Sequence, residues 1–213
     1  MNGLMPLALR GTEPMAVGQL RAIYRHPEVP GLLVKVIRED VAATRWKRWH
    51  KRLPRALHYT GYVRELKEYI AVRARHPGVD PPISRMVGLV ETDLGLGLVS
   101  ELVADADGAP GPTLAALYER ERGFAPWLEQ ALADLLRDLL ACNVILGDLH
   151  PWNIVHGSDS RGGPRLVVVD GFGEKHVIPR SSMSRALNRW NTRRLFARMR
   201  ANLVEWVPIP PAA

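Results

Sequence analysis

Residues 143–155 (NVILGDLHPWNIV) constrain this chain more than any other stretch. Asp148 and Asn153 form a D-x-x-x-x-N unit closed by the apolar pair Ile154 and Val155. A second apolar run, Leu166 to Val169, ends in Asp170 and is followed by Gly171-Phe172-Gly173. Two buried strands joined by a hairpin would bring Asp148, Asn153 and Asp170 to one end of the pair. That constellation suits phosphoryl transfer. One carboxylate orients and deprotonates an acceptor hydroxyl, while an amide and a second carboxylate hold magnesium against nucleotide phosphates.

The approach to this stretch reads as helical. Leu128, Leu132, Leu135, Leu136, Leu139 and Leu140 recur at spacings of three and four from Pro126 to Cys142, which predicts a buried helix. Thr113, after Pro112, caps a shorter amphipathic helix that reaches Arg122. Gly147, just before Asp148, permits backbone geometry that a side chain would crowd.

The first third reads as short strands: Leu7 to Leu9, Leu20 to Tyr24 and Leu32 to Ile37, punctuated by glycines and prolines. Lys35 stands inside the last of them, LLVKVIRED. A lysine there either faces water on an edge strand or meets an anion, because burying it unpaired is costly. Residues 60–75 (TGYVRELKEYIAVRAR) carry Tyr62, Leu66, Tyr69, Ile70 and Val72 at helical spacing, so a helix is expected. Its acids are Glu65 and Glu68. A helix glutamate paired with a strand lysine can hold that lysine over nucleotide phosphates. Glu65 is the expected partner of Lys35, and Glu68 fits a surface position.

Met86 to Glu91 and Leu96 to Val103 predict two more strands around the turn Thr92-Asp93-Leu94-Gly95. The small, acidic, proline–glycine-rich ADADGAPGP then marks a linker between two lobes. Just before it, the backbone of Glu101 and Val103 stands where a hinge would meet an adenine edge.

The length of 213 residues allows one large domain or two small lobes sharing a cleft. No stretch approaches the roughly 20 apolar residues that span a bilayer. The N-terminus lacks the features of a secretory signal. One cysteine, Cys142, excludes an intramolecular disulfide and reads as core packing, so a reducing cytoplasm is the expected location. One cysteine and scattered histidines argue against zinc.

A formal net charge of +7 favours acidic partners. Two stretches concentrate it. From Arg45 to Arg55 (RWKRWHKRLPR) six Lys and Arg residues flank Trp46 and Trp49 without an acid. From Arg185 to Arg200 six arginines alternate with Leu187, Trp190, Leu195, Phe196 and Met199. Each fits either a packing face with its charges in water, or a docking surface for an acidic partner or an anionic membrane face. Nucleic acid is the weakest of the partner readings.

These stretches resemble the YrbL family, the PhoP regulatory network proteins, within the protein-kinase-like superfamily. The likeness rests on AVGQLRAIYRHPE leading to LLVKVI, on GYVRELKEYIAVRAR, and on VGLVETDLGLGLVSELVADADG followed by TLAALYE. With LGDLHPWNIV and VVVDGFGE these cover nearly the whole chain. The resemblance implies an α+β, two-lobed protein-kinase-like fold. Residues 1–103 would form a small antiparallel-sheet N-lobe with one helix. Residues 104–213 would form a reduced, mainly helical C-lobe, truncated after the Asp-Gly-Phe-Gly loop.

The resemblance further implies ATP and magnesium as cofactors. Asp148 becomes the catalytic base, Asn153 and Asp170 the metal ligands, and Lys35 the phosphate-binding lysine with Glu65 beside it. Gly18 is the one glycine left in the loop that covers the phosphates, and His150 takes an accessory role. Leu146-Gly147 replace the His-Arg of protein kinases, the magnesium loop is one glycine longer, and no Ala-Pro-Glu element follows. The last departure argues against a protein substrate. The expected activity is phosphoryl transfer to a hydroxyl acceptor, in bacterial stress or envelope regulation. The alternative is a regulatory pseudokinase that binds an acidic partner through its basic surfaces.

Overall fold

A computed structural model of the chain describes residues 5–45, 59–174 and 183–208. Most of the basic stretch from Arg45 to Arg55, with Trp46 and Trp49, lies outside the described residues. The chain falls into two compact units, one of Met1–Leu66 with Arg85–Leu102, the other of Lys67–Ser84 with Val103–Ala213.

The first unit is built on an antiparallel sheet. Its strands are β1 (Ala16–Val17), β2 (Arg21–Arg25), β3 (Leu32–Ile37), β4 (Met86–Thr92) and β5 (Gly95–Glu101), in the spatial order β1-β2-β3-β5-β4. Leu7, Leu9, Ala22, Val34, Val36 and Val99 pack into one cluster on this sheet. The run Leu7 to Leu9 is not the expected strand. Only Leu7 pairs, in parallel with Thr92, and the Asp93 carboxylate accepts the N–H of Leu9 at 2.8 Å. An aspartate in the β4–β5 turn thus anchors the segment that covers the core.

β3 is central, pairing with β2 through Lys35↔Ile23 and with β5 through Lys35↔Leu98. Lys35 is accordingly only 3% exposed, so the outward-facing lysine on an edge strand is ruled out. A short helix, α1 (Glu39–Arg45), follows β3. Its sequence, EDVAATR, carries no apolar stripe by which it could be foreseen.

Helix α2 (Thr60–Arg75) forms over the expected residues but with a different face inward. Tyr62, Glu65, Glu68 and Val72 are buried, whereas Ile70 is 63% exposed. Spacings of three, three and four make one stripe of these four side chains. Two acids lie on it because each has a partner, Arg21 for Glu65 and the Ile145 N–H for Glu68.

The second unit is mainly helical. α3 (Leu114–Arg120) is capped by Thr113, whose hydroxyl accepts from the Ala116 N–H. α4 (Pro126–Ala141) buries Leu128, Leu132, Leu135 and Leu139, each worth roughly 2 kcal/mol on leaving water. β6 (Ile154–Asp159) and β7 (Gly162–Val168) form an antiparallel ribbon, and α5 (Arg185–Trp206) closes the described chain.

Residues 67–84, which the sequence places in the first lobe, belong to the second unit because they are stitched to this ribbon. Ser84 N–H donates to Val168 C=O and Val168 N–H to Pro82 C=O, both at 2.9 Å. Arg161 donates to the carbonyls of Pro81 and Ile83 and is paired at 2.6 Å with the buried carboxylate of Asp159. The acidic proline–glycine stretch is ordered too. Ala104 and Ser158 exchange backbone hydrogen bonds, and the Asp105 carboxylate accepts the N–H groups of Asp107 and Ala109. Among the described residues no helix is long and apolar enough to cross a membrane.

Candidate active site

In the second unit α4 delivers the chain into residues 143–155 through Asn143, which adopts a left-handed conformation (φ 51°). The next residues are buried and pair with the loop after β7. Gly173 N–H donates to Ile145 C=O at 2.7 Å, Leu146 and Phe172 bridge in antiparallel fashion, and Phe172 is fully buried. The Gly171 carbonyl then accepts both the Gly147 and Asp148 N–H groups at 2.9 Å. A miniature ladder therefore fixes Asp148 against the Asp-Gly-Phe-Gly loop.

Asn153 ends a 3-10 turn, Pro151–Asn153, in which its N–H donates to His150 C=O. Its own carbonyl accepts the Val169 N–H at 2.8 Å, while Ile154 pairs with Val168. Asn153 and Asp170 consequently lie at the same end of the β6–β7 ribbon. One Asp170 oxygen accepts the Gly171 N–H at 2.6 Å, which fixes the carboxylate.

The first glycine of the loop, Gly171, has a steric cause. A Cβ on Gly171 would stand 2.6 Å from the Asp148 carbonyl oxygen and 3.6 Å from Asn153 Nδ2, at a φ of +84°. Only glycine lets the loop after Asp170 come this close to the Asp148 backbone. Asp148, Asn153 and Asp170 offer carboxylate and amide oxygens alone, the donor set that suits a hard cation such as magnesium and not a thiolate-seeking metal.

Several contacts around this site are not legible in the sequence. Glu68 accepts the Ile145 N–H at 2.8 Å, so α2 holds the start of the loop. Burial pushes its carboxyl up to about 7 despite that hydrogen bond. Asn188 on α5, also buried, donates from Nδ2 to Val144 C=O at 3.0 Å and to Asn143 Oδ1 at 3.2 Å. His150 has its Nε2 3.7 Å from Asp148 Oδ1.

In the first unit Glu65 is fully buried and takes the Arg21 guanidinium at 2.7 Å, a partner its spacing from Lys35 does not foretell. Arg21 also lies 5.0 Å over the Tyr62 ring, and the Tyr62 hydroxyl donates to Lys35 C=O at 2.7 Å. Gly61 leaves room for the guanidinium, which sits where a Cβ would be. Gly18 lies in the exposed turn between β1 and β2, its N–H donating to Arg21 C=O at 2.8 Å and its carbonyl accepting from Arg38. Glu101 N–H donates to Arg85 C=O at 2.9 Å. In the second unit, Val103 C=O accepts the Gly111 N–H, also at 2.9 Å.

A profile of the family described as PhoP regulatory network protein YrbL matches residues 7–204. The chain belongs to the YrbL family. It is 30% identical over 183 residues to the uncharacterized protein YrbL of Escherichia coli (strain K12), covering 84% of this chain and 79% of that protein. The YrbL protein of Shigella flexneri gives the same figures. Among solved structures, it is similar to a crystal structure of Rad53 1–466 in complex with AMP-PNP, at 16% identity and a TM-score of 0.48. That likeness covers 88% of this chain but spans only 46% of the solved one.

Membership gives meaning to the stretches on which the resemblance rests. In this YrbL-family chain AVGQLRAIYRHPE supplies Arg21 and GYVRELKEYIAVRAR supplies Gly61, Tyr62 and Glu65, so two of those stretches meet in one buried cluster. The architecture is α+β: an antiparallel sheet with α2, then helices, then the two-stranded ribbon at whose end Asn153 and Asp170 lie.

Proposed function

We propose that this YrbL-family chain is an ATP- and magnesium-dependent phosphotransferase that acts on a hydroxyl acceptor. The observation that carries the reading is the backbone pairing of the Asp148 segment with the Gly171 loop, which sets Asp148, Asn153 and Asp170 around one glycine. In this reading Asn153 and Asp170 hold the magnesium ion, which neutralises charge on the nucleotide phosphates. Asp148 orients the acceptor hydroxyl and takes its proton.

Lys35 supplies a cation to the phosphates and Glu65, held by Arg21, steadies that part of the sheet and helix. The turn at Gly18 covers the phosphates. In the same reading the backbone of Glu101 and Val103 meets the adenine edge. Hydrolysis of ATP in the absence of acceptor tests the reading. Slow magnesium-dependent release of phosphate, abolished in Asp148→Asn while ATP still binds, is the expected result. Release that is unchanged by Asp148→Asn contradicts it.

A second reading, the regulatory pseudokinase, draws on α5. Its buried stripe is Asn188, Thr192, Phe196, Met199 and Leu203, and its exposed side carries Arg185, Arg189, Arg193, Arg194 and Arg198 with Trp190. Such a face suits an acidic partner or an anionic membrane surface. The family description names the PhoP regulatory network; to either reading we add a place in bacterial stress or envelope regulation, in the cytoplasm.

A further inference from the structure

Three aromatic rings stand together beside Asp148. His150 and Trp152 flank Pro151 in the turn that carries Asn153, and Trp206 is the last residue of α5. Trp206 stacks on His150 at 5.4 Å between centroids and 13° between planes, and on Trp152 at 5.7 Å and 28°. His150 and Trp152 are 6.5 Å apart. The rings form one tier, and its histidine end reaches within 3.7 Å of an Asp148 oxygen.

Docking of α5 does not account for this tier. The helix is already held by the buried side chains of Asn188, Phe196, Met199 and Leu203. Trp152 and Trp206 remain 49% and 40% exposed. Indole surface left in water beside a candidate catalytic carboxylate is what a ligand would cover.

The chemistry of the tier selects the ligand. Trp152 and Trp206 leave indole surface in water, so the tier offers an apolar surface on which one face of a ring can stack. A flat aromatic acceptor would keep its second apolar face wet. A serine or threonine side chain has nothing to stack. A nucleoside would stack its base and hold its hydroxyls a ribose away. A pyranose has C–H groups on one face and hydroxyls around its rim, so stacking it delivers a hydroxyl directly at the ring edge.

We propose that His150, Trp152 and Trp206 form the acceptor platform of this site and that the acceptor is a pyranose. The proposal rests on the phosphotransferase reading above. The sugar oxygen bonds to the terminal phosphorus of ATP as the bond from that phosphorus to its bridging oxygen breaks. The hydroxyl proton passes to the Asp148 carboxylate, and ADP leaves with the bonding electron pair. His150 acts as a positioning residue, one ring packed under Trp206 and one nitrogen facing Asp148.

Saturation-transfer NMR on the full chain tests this, with methyl glucopyranoside, methyl mannopyranoside and N-acetylglucosamine as probes. Adenosine and a tyrosine-containing peptide run beside them. The expected result is a pyranoside signal strongest on the C–H protons of one face. Trp152→Ala and Trp206→Ala should weaken binding roughly ten-fold, the order expected for loss of a stacked ring, and Trp152→Phe should restore most of it. Melting curves identify any variant that has lost its fold, and Trp152, on the surface, serves if Trp206→Ala has.

No signal from any pyranoside overturns the proposal, as does a signal indifferent to both tryptophans. A nucleoside or tyrosyl signal that depends on Trp152, without a pyranoside signal, also overturns it. Transfer of phosphate from ATP to the bound pyranoside supports both readings together. Tryptophan-dependent pyranoside binding in a chain that neither binds nor hydrolyses ATP upholds the sugar site and removes the phosphotransferase reading alone.

Discussion

Gly171 lies so close to Asp148 that a methyl group on it would stand 2.6 Å from the Asp148 carbonyl oxygen. The glycine also occupies the left-handed region, with a φ of +84°. These two constraints separate experimentally. Gly11 has a similar φ of +87° but nothing within 4 Å of its would-be Cβ. Gly11→Ala should therefore cost about 1 kcal/mol through backbone strain alone. Gly171→Ala should cost about twice that, because the clash adds to the strain. Urea denaturation of both variants checks the difference, and equal losses would show that the contact is relieved without penalty.

Glu65 and Arg21 form a pair in which the carboxylate has no exposure and the guanidinium little. Removing one member leaves the other charge buried, typically at about 3 kcal/mol or more. Arg21→Met should lower stability on that scale. Arg21→Met with Glu65→Gln should recover part of the loss, because the double variant buries no carboxylate. A double-mutant cycle by chemical denaturation measures the coupling.

Glu68 makes stability depend on pH. Burial pushes its carboxyl up to about 7 in the fold, above an ordinary value of 4.5. Between about pH 4.5 and 7 the folded chain holds a proton that the unfolded chain has released. Stability contributed by Glu68 is thus complete below that window and is lost as pH rises through it. Glu68→Gln keeps an acceptor for the Ile145 N–H and removes the titration. Its stability relative to wild type should rise by on the order of 2 kcal/mol from pH 5 to pH 8. Denaturant midpoints across that range check it, and a constant difference would contradict it.

Asn188 joins α5 to the chain entering the site, with Nδ2 donating to Val144 C=O and Asn143 Oδ1. Asn188→Leu should lower stability by about 1–3 kcal/mol, since it strips hydrogen bonds from buried acceptors. Thr192, one turn on, is buried too, but its hydroxyl has no hydrogen-bond partner. Thr192→Val should be close to neutral by the same measurement.

Much of this was legible in residue order, for physical reasons. Local periodicity exposes α4, because four leucines on one face leave no other way to hide them. Lys35 was legible as a candidate because a charge inside an apolar strand demands an explanation, and β3 proves to be central. Asn153 and Asp170 were legible because hairpin geometry brings their positions to one end of the ribbon, and the Asp148 N–H joins them through the Gly171 carbonyl.

What stayed hidden depends on distant partners. The Arg21–Glu65 pair joins residues 44 apart, and Glu68 meets an amide 77 residues away. Hydrophobic spacing alone placed Ile70 inward and Glu68 outward on α2. The two acids turned the helix because each found a donor in the fold. His150, Trp152 and Trp206 were each visible, but only α5 brings the third ring to the other two.

The most direct test of the account is calorimetric titration of ATP into the full chain, with magnesium and with EDTA, in wild type and in Asp170→Ala. Saturable binding that requires magnesium and disappears in Asp170→Ala is the predicted result. Binding that is indifferent to the metal and to Asp170, or no binding to the wild-type chain at all, would contradict a magnesium–nucleotide site built on Asp148, Asn153 and Asp170.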